Sequence, residues 1–149
     1  MKKLTIENEE YTLEYTIGAA YNTEMVEKTI LMQTGAYLMD DVNKGSLGLA
    51  YGSAKALSEI PKLCSLYFNA GLQEHHKLKA ADSDRLMFMY MKENNLNFTA
   101  LYKELQEVLN EDGFFEIIGL TEMLAEQNKE IEKSIKQAKA IKKKATQKK

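Results

Sequence analysis

The sequence predicts a mainly α-helical protein: a compact multi-helix domain with a small N-terminal β-hairpin and a basic C-terminal tail. Three observations favour this fold class. The chain has 149 residues but only one proline and eight glycines, so few residues interrupt a helix. Apolar residues recur at steps of three and four between residues 54 and 72, which indicates a central helix with one side in the core. Lysines are concentrated at the C-terminal end.

Composition excludes several classes of protein. A single cysteine, Cys64, rules out an internal disulfide framework and fits a reducing cytosol. The first ten residues, MKKLTIENEE, lack the apolar core of a signal peptide. No apolar run reaches the roughly 18 residues that a membrane-spanning helix needs, so we expect no membrane segment.

Charge divides the chain into two parts. Residues 126–149 contain nine lysines and three glutamates, a balance of +6, while the whole chain carries −2. Residues 1–125 therefore carry −8, and we assign them to a helical domain whose acidic surface disfavours nucleic acid. We expect residues 126–140 to form an exposed helix or a partner-dependent coiled segment, and residues 141–149 to be disordered.

Alternating apolar residues predict a hairpin over about residues 3–16, KLTIENEEYTLEYT. Two short strands flank a turn at residues 7–10, which lacks the Asn-Gly pair typical of tight hairpins. An isolated two-stranded ribbon is marginal in water, so its apolar face should lie on helices or on a partner's sheet.

Helical spacing begins after the hairpin, over residues 18–33, with Thr23 as an alternative start. Thr34 and Gly35 should end this helix, and residues 40–48 form the loosest stretch of the domain. A further helix is expected over about residues 46–57. The next helix could be capped by Ser58, with Pro61 tolerated in its first turn. One kinked helix and two separate helices both remain open here.

The second half of the domain is expected to contain three more helices. A polar connection, residues 71–82, should lead to a helix that Asp82 or Ser83 caps and that runs to about Asn94. Asn97 or Thr99 should open the next helix, which closes near Asp112 and Gly113. Residues 114–124 are long enough for a last amphipathic helix.

The candidate reactive residues each have a structural explanation. His75 and His76 could ligate a metal, but no further His or Cys completes a tetrahedral set, so a surface loop is the preferred interpretation. Cys64 lies on the apolar side of the central helix, where a small buried residue is expected more often than a nucleophile.

The sequence contains no phosphate-binding glycine loop, no serine nucleophile elbow and no carboxylate pair spaced for acid–base catalysis. We therefore predict no catalytic residues, no cofactor and no metal site. The run of residues 87–91 is uninterruptedly apolar, and its Met87, Met89 and Met91 either fill the core or bind a partner by repacking.

Three stretches carry a resemblance to a known family. They are KLTIENEEYTLEYTIGAA at the start, LYFNAGLQEHHK at residues 66–77, and AADSDRLMFMYMKENN after it. Together they resemble the tail assembly chaperones of long-tailed, siphovirus-type bacteriophages and prophages of Gram-positive bacteria. The resemblance covers about residues 1–125. This sequence departs from the family in its hairpin turn, which is ENEE and not an Asn-Gly type.

The resemblance implies a non-catalytic protein of the host bacterial cytoplasm that is absent from the finished virion. It implies that the chain binds the tape measure protein, keeps it soluble, and helps to recruit the tail tube (major tail) protein. A longer product of ribosomal frameshifting recruits that protein in the family, and consecutive lysine codons at residues 142–144 are compatible with a slippery site. A homo-oligomer is expected, with the hairpin edge as one candidate contact.

We place the partner-binding surface on Tyr67, Phe68 and Leu72 together with Met87, Met89 and Met91, because exposed apolar patches mark binding surfaces. Two rival functions remain. The chain could be a helical adaptor that binds nucleic acid through its lysine-rich tail, or a metal-dependent enzyme that uses His75 and His76.

Overall fold

The computed structural model describes residues 1–39 and 45–146 and confirms the predicted fold class, a two-stranded hairpin followed by helices. The elements in chain order are β1 Lys2–Ile6, β2 Glu9–Leu13, α1 Ile17–Ala20, α2 Thr23–Gln33, α3 Ala36–Met39, α4 Gly45–His76, α5 Ala80–Glu93, α6 Phe98–Glu111, α7 Phe114–Ile117 and α8 Leu120–Thr146. They form two compact units, Met1–Ile118 and Gly119–Lys149, and the predicted domain boundary lay at residue 125. Among the described helices, none is long and apolar enough to cross a membrane.

The predicted hairpin is confirmed. β1 and β2 pair antiparallel, with Ile6 opposite Glu9, so the loop between them has two residues. These residues, Glu7 and Asn8, have φ values of 51° and 66°, the left-handed conformation that two-residue hairpin turns require at both positions. Asparagine tolerates this conformation better than most residues, which explains how the turn forms without glycine. The apolar face of the hairpin is buried against helices.

The region predicted as one helix over residues 18–33 is two helices. Thr16 caps α1 and Asn22 caps α2, and the Asn22 side chain accepts a hydrogen bond from the Met25 N–H. This outcome supports Thr23 as the start of the longer helix. Thr34 and the left-handed Gly35 end α2 as predicted. Of the stretch predicted to be loose, residues 40–44 lie outside the described residues, and residues 45–48 begin α4.

The central segment is one long helix, α4, with Pro61 in its interior. The predicted cap at Ser58 is wrong, because the Ser58 hydroxyl donates to the Lys55 carbonyl within the continuous helix. Pro61 removes one backbone donor and normally disfavours a helix interior. The buried side chains that follow it, including Leu63 and Cys64, anchor the helix on the core, so tertiary packing outweighs the local penalty.

The polar connection predicted over residues 71–82 is also wrong. α4 continues to His76, and α5 begins at Ala80 after Lys79, so neither Asp82 nor Ser83 is the cap. The Ser83 side chain is instead fully buried. The next boundaries agree with the sequence: Asn97 caps α6 by accepting from the Ala100 N–H, and Asp112 and the left-handed Gly113 end it.

The last predicted helix is interrupted. Gly119 adopts a positive φ of 73° between α7 and α8, so residues 114–124 do not form one helix. In α8, residues 126–141 are all exposed, which agrees with the exposed helix predicted there. α8 continues to Thr146, residues 147–149 lie outside the described residues, and the disorder expected over residues 141–149 stays a prediction.

The C-terminal half of α4 is the centre of the Met1–Ile118 unit, as the periodicity predicted. It packs against β2, α5 and α6. Fully buried side chains from these elements form its core, among them Leu13, Leu63, Phe68, Leu72, Leu101, Leu105 and Leu109. Each such side chain contributes about 1.5–3 kcal/mol when it leaves water.

Candidate interaction surface

The six residues that the sequence suggested for partner binding are mostly core residues. Tyr67, Phe68 and Leu72 have no exposed surface. Met87 and Met91 are buried as well, whereas Met89 is half-buried and lines a small cleft with Tyr11 and Leu86. A partner contacts only side chains that reach the surface. In this conformation the five buried residues are therefore unavailable to it.

Tyr67 has a structural role at the centre of the core. Its hydroxyl lies 2.9 Å from the Thr29 Oγ1, which in turn donates to the Met25 carbonyl at 2.6 Å. Burial raises the pKa of Tyr67, because an ionised phenol loses its solvation there. This chain of hydrogen bonds connects α2 to α4 and satisfies two polar groups that packing has removed from water.

Cys64 is a core residue, as predicted. The side chain is fully buried, and its Sγ lies 3.5 Å from the Phe98 carbonyl oxygen. Burial raises the pKa of the Cys64 thiol to about 12. A thiol with these properties carries no thiolate at neutral pH and is inert as a nucleophile.

His75 and His76 end α4 and attach the hairpin to it, so the predicted surface loop is wrong. The His76 Nε2 accepts a hydrogen bond from the Thr12 backbone N–H at 2.9 Å, and the His75 Nε2 lies 2.6 Å from the Glu14 carboxylate. The Glu14 N–H also donates to the Gly71 carbonyl. These bonds occupy the N–H groups of Thr12, on the outer edge of β2, and of Glu14, which follows β2. Neither donor is available to a strand from a second copy.

Within residues 1–39 and 45–141, no three His, Cys, Asp or Glu side chains converge on a position that could hold a metal ion. His76 and His75 instead contact the Thr12 N–H and the Glu14 carboxylate of the same chain. The geometry therefore gives no specific support to the metal-dependent enzyme.

The N-terminal half of α4 differs from the rest of the helix because it exposes large apolar side chains. Leu47, Leu49, Tyr51 and Leu57 have exposed fractions between 53% and 81%. We call these four residues the α4 apolar surface. Residues 45–58 contain one charged residue, Lys55, and no acidic residue. An apolar helix surface of this extent normally contacts another protein.

Two glycines determine which side of this half-helix is covered. Gly48 and Gly52 are its buried residues, and α3 packs against α4. A Cβ atom at Gly52 would lie 2.6 Å from the Tyr37 carbonyl oxygen, so only glycine permits this approach of the two backbones. Lys55 extends over the Tyr37 ring, with its Nζ 5.6 Å from the ring centre. The short α3 covers the glycine side and leaves the four large side chains exposed.

Charged residues begin where the α4 apolar surface ends. Glu59 forms an ion pair with Lys28 at 2.5 Å, and Lys62 lies 3.6 Å from Glu24. Both pairs join α2 to α4. The segment with a single charge is therefore confined to the N-terminal half of the helix, and ion pairs hold the following part to α2.

A second apolar feature lies between α1 and α2. Its groove of about 410 Å³ is lined mainly by aliphatic side chains, including Ala20, Val26, Ile30 and Leu31. Ile17, on α1, and Tyr21, the residue that follows α1, are also highly exposed. This groove is more polar than the α4 apolar surface because Thr23 and Glu27 also line it.

Sequence periodicity predicted a helix over about residues 46–57 but gave no indication that its large apolar side chains are exposed. One signal was available in the sequence: residues 45–58 contain a single charged residue and many small residues. No other segment of similar length in the domain has both properties. Periodicity identifies apolar residues but does not determine whether the protein's own chain covers them.

Comparisons with protein-family models, with curated proteins and with solved structures found no match to this chain. Its function is therefore proposed from its own residues.

Proposed function

We propose that this chain is a non-catalytic tail assembly chaperone whose α4 apolar surface binds helical, apolar segments of a tape measure protein. The single observation that carries the proposal is the exposure of Leu47, Leu49, Tyr51 and Leu57 on a half-helix with one charged residue. The resemblance of the sequence motifs supplies the identity of the client.

The energetics of this surface suit a chaperone. Each large apolar side chain contributes about 1.5–3 kcal/mol when it is fully buried, so four of them supply useful affinity after the entropic cost of association. Leucine and tyrosine contacts do not demand one exact partner sequence, which suits a client that presents many similar helical segments. The acidic remainder of residues 1–125 keeps the complex in solution.

The proposal has further parts that follow from the resemblance. The chaperone acts in the host bacterial cytoplasm and leaves before the virion is complete. Recruitment of the tail tube protein belongs to a longer, frameshifted form of the chain. These parts are separate from client binding and need their own experiments.

Co-expression tests the proposal directly. The full chain would be produced with the tape measure protein of the same phage or prophage, and the soluble, co-eluting fraction of that client would be measured. We expect a soluble complex that disappears when this chain is left out. A client that is equally insoluble with and without the chain would overturn the proposal.

A matched pair of variants tests the surface itself. Tyr51→Lys places a charge in the α4 apolar surface, and Tyr21→Lys makes the same change at an exposed tyrosine that follows α1. The two exposed fractions are 68% and 78%. We expect Tyr51→Lys to lower the soluble client severalfold and Tyr21→Lys to leave it unchanged. Equal effects of the two variants would remove the α4 apolar surface from the proposal.

A further inference from the structure

The helix α8 has an apolar stripe that its own chain leaves exposed over residues 126–141. Ile131 and Ile135 have exposed fractions of 51% and 48%. Asn128 and Ala138 lie on the same side of the helix, because the steps between these four residues are three, four and three. A narrow stripe at this spacing is the pattern by which two helices pair in a coiled coil.

The spacing of the stripe is symmetric about its midpoint. Lys133 lies halfway between Ile131 and Ile135, and also halfway between Asn128 and Ala138. A second copy of α8 that runs in the opposite direction therefore places Ile131 opposite Ile135, and Asn128 opposite Ala138. The same stripe serves both copies, as a two-fold symmetric contact requires.

The charges of α8 favour this antiparallel direction. Residues 120–132 contain four glutamates and one lysine, whereas residues 133–141 contain three lysines and no acidic residue. Antiparallel pairing brings the acidic half of each helix beside the basic half of the other. Parallel pairing would bring like charges together in both halves, which is unfavourable.

We propose that two copies of this chain associate through antiparallel pairing of α8, centred on Ile131 and Ile135. The stripe identifies the contact, and the charge distribution identifies a second copy of α8 as its occupant. This contact uses residues of α8 and none of the four residues of the α4 apolar surface. The pairing and the proposed chaperone function can therefore be tested separately.

Disulfide trapping in the full chain tests the direction of pairing. The natural chain has one thiol, the buried Cys64, which serves as an unreactive background. Asn128→Cys and Ala138→Cys chains, one of them carrying an affinity tag, would be oxidised separately and as a mixture. We expect disulfide dimers to form chiefly between the two variants. In an antiparallel pair, two copies of residue 128 are about 15 Å apart along the helix axis, too far for a disulfide.

A disulfide dimer of Asn128→Cys alone, at the yield of the mixture, would show parallel pairing and overturn the proposal. An absence of disulfide dimers in the mixture would overturn it as well.

Sedimentation equilibrium tests the stripe with a matched control. We expect Ile131→Asn with Ile135→Asn to weaken dimerisation roughly tenfold or more, since the dimer loses four buried isoleucines. The control is Ala140→Asn, at an exposed residue on the opposite side of α8 from Ile131 and Ile135. Far-UV circular dichroism checks that the helix persists in each variant. Equal weakening by both changes, or a wild-type chain that stays monomeric at all concentrations, would contradict the proposal.

Salt provides a further test of the charge argument. We expect the dissociation constant to rise severalfold between about 0.05 and about 0.5 M NaCl, because salt screens the attraction between acidic and basic halves. A dimer that becomes tighter over the same range would instead indicate like charges in contact and would overturn the antiparallel arrangement.

Discussion

The backbone N–H of Glu14 donates a hydrogen bond to the carbonyl of Gly71 at 2.9 Å, and so joins the residue after β2 directly to α4. The glycine at position 71 leaves room for the two buried side chains that flank Glu14. A Cβ atom at position 71 would lie 3.1 Å from the Leu13 Cδ2 and 3.2 Å from the Tyr15 ring. Gly71 therefore allows the hairpin to pack on the central helix.

Gly71→Ala should destabilise the protein. The added methyl group has to displace two fully buried side chains, and overpacking of this kind costs about 1–3 kcal/mol. The better helix propensity of alanine offsets about 1 kcal/mol of this cost. Urea denaturation measures the difference. Ser53→Ala, an exposed change in the same helix, is the control and should not lower stability; an unchanged or higher stability of Gly71→Ala would contradict the packing described here.

His76→Ala should destabilise the hairpin more than His75→Ala does. His76 is the acceptor for the half-buried Thr12 N–H, and its ring lies 5.3 Å from the Tyr11 ring. Leaving that donor unsatisfied costs about 1–3 kcal/mol. The pair of His75 with Glu14 is exposed, and such pairs contribute about 0–1 kcal/mol. The free energy of unfolding of the two variants measures the difference, and equal losses would refute the role assigned to His76.

Tyr15→Phe should preserve or raise stability. The Tyr15 hydroxyl is buried and has no hydrogen-bond partner among the described residues, so it carries a desolvation cost of about 1–3 kcal/mol without compensation. Phenylalanine keeps the ring that packs against Phe114. Thermal unfolding measures the effect. Tyr67→Phe is the contrast, because the Tyr67 hydroxyl has Thr29 as a partner, and this variant should lose stability. A marked loss in Tyr15→Phe would show that the hydroxyl has a stabilising partner.

Alkaline pH should unfold the domain. Burial raises the pKa of Tyr102 from 10.0 to about 12 and the pKa of Cys64 from 9.0 to about 12. The unfolded chain releases these protons at lower pH than the folded chain does. Their contribution to stability is therefore complete below about pH 9 and is lost as the pH rises towards about 12.

The urea midpoint, measured across this alkaline range, tests the expectation. Cys64→Ala removes one of the two groups, so its midpoint should fall less steeply with pH than that of the natural chain. A midpoint that stays constant to about pH 11 would contradict the burial of both groups.

Local sequence chemistry predicted several boundaries correctly. The Asn97 cap, the glycine end at Gly113 and the alternating hairpin strands depend on groups within a few residues of each other. The failures at Ser58 and at Asp82 share another cause. Both residues can cap a helix, but tertiary contacts override this local preference. α4 continues through Ser58, and α5 begins at Ala80, before Asp82.

The candidate surface could not be located from periodicity. Phe68 and Leu47 are both apolar residues of α4, yet one is fully buried and the other is 81% exposed. The difference depends on which elements pack on each half of the helix. Hairpin, α5 and α6 surround the C-terminal half, whereas the short α3 contacts the glycines of the other.

The sequence by itself determined the helical class, the N-terminal hairpin, the buried Cys64 and the exposed helix beyond residue 126, because each depends on local periodicity and composition. Only the tertiary structure decided the continuity of α4 and the exposure of its N-terminal half. The free energy of burial depends on neighbours that are distant in the sequence. The hydrophobicity of a side chain sets the free energy that it gains by leaving water, whereas the fold determines which side chains leave water.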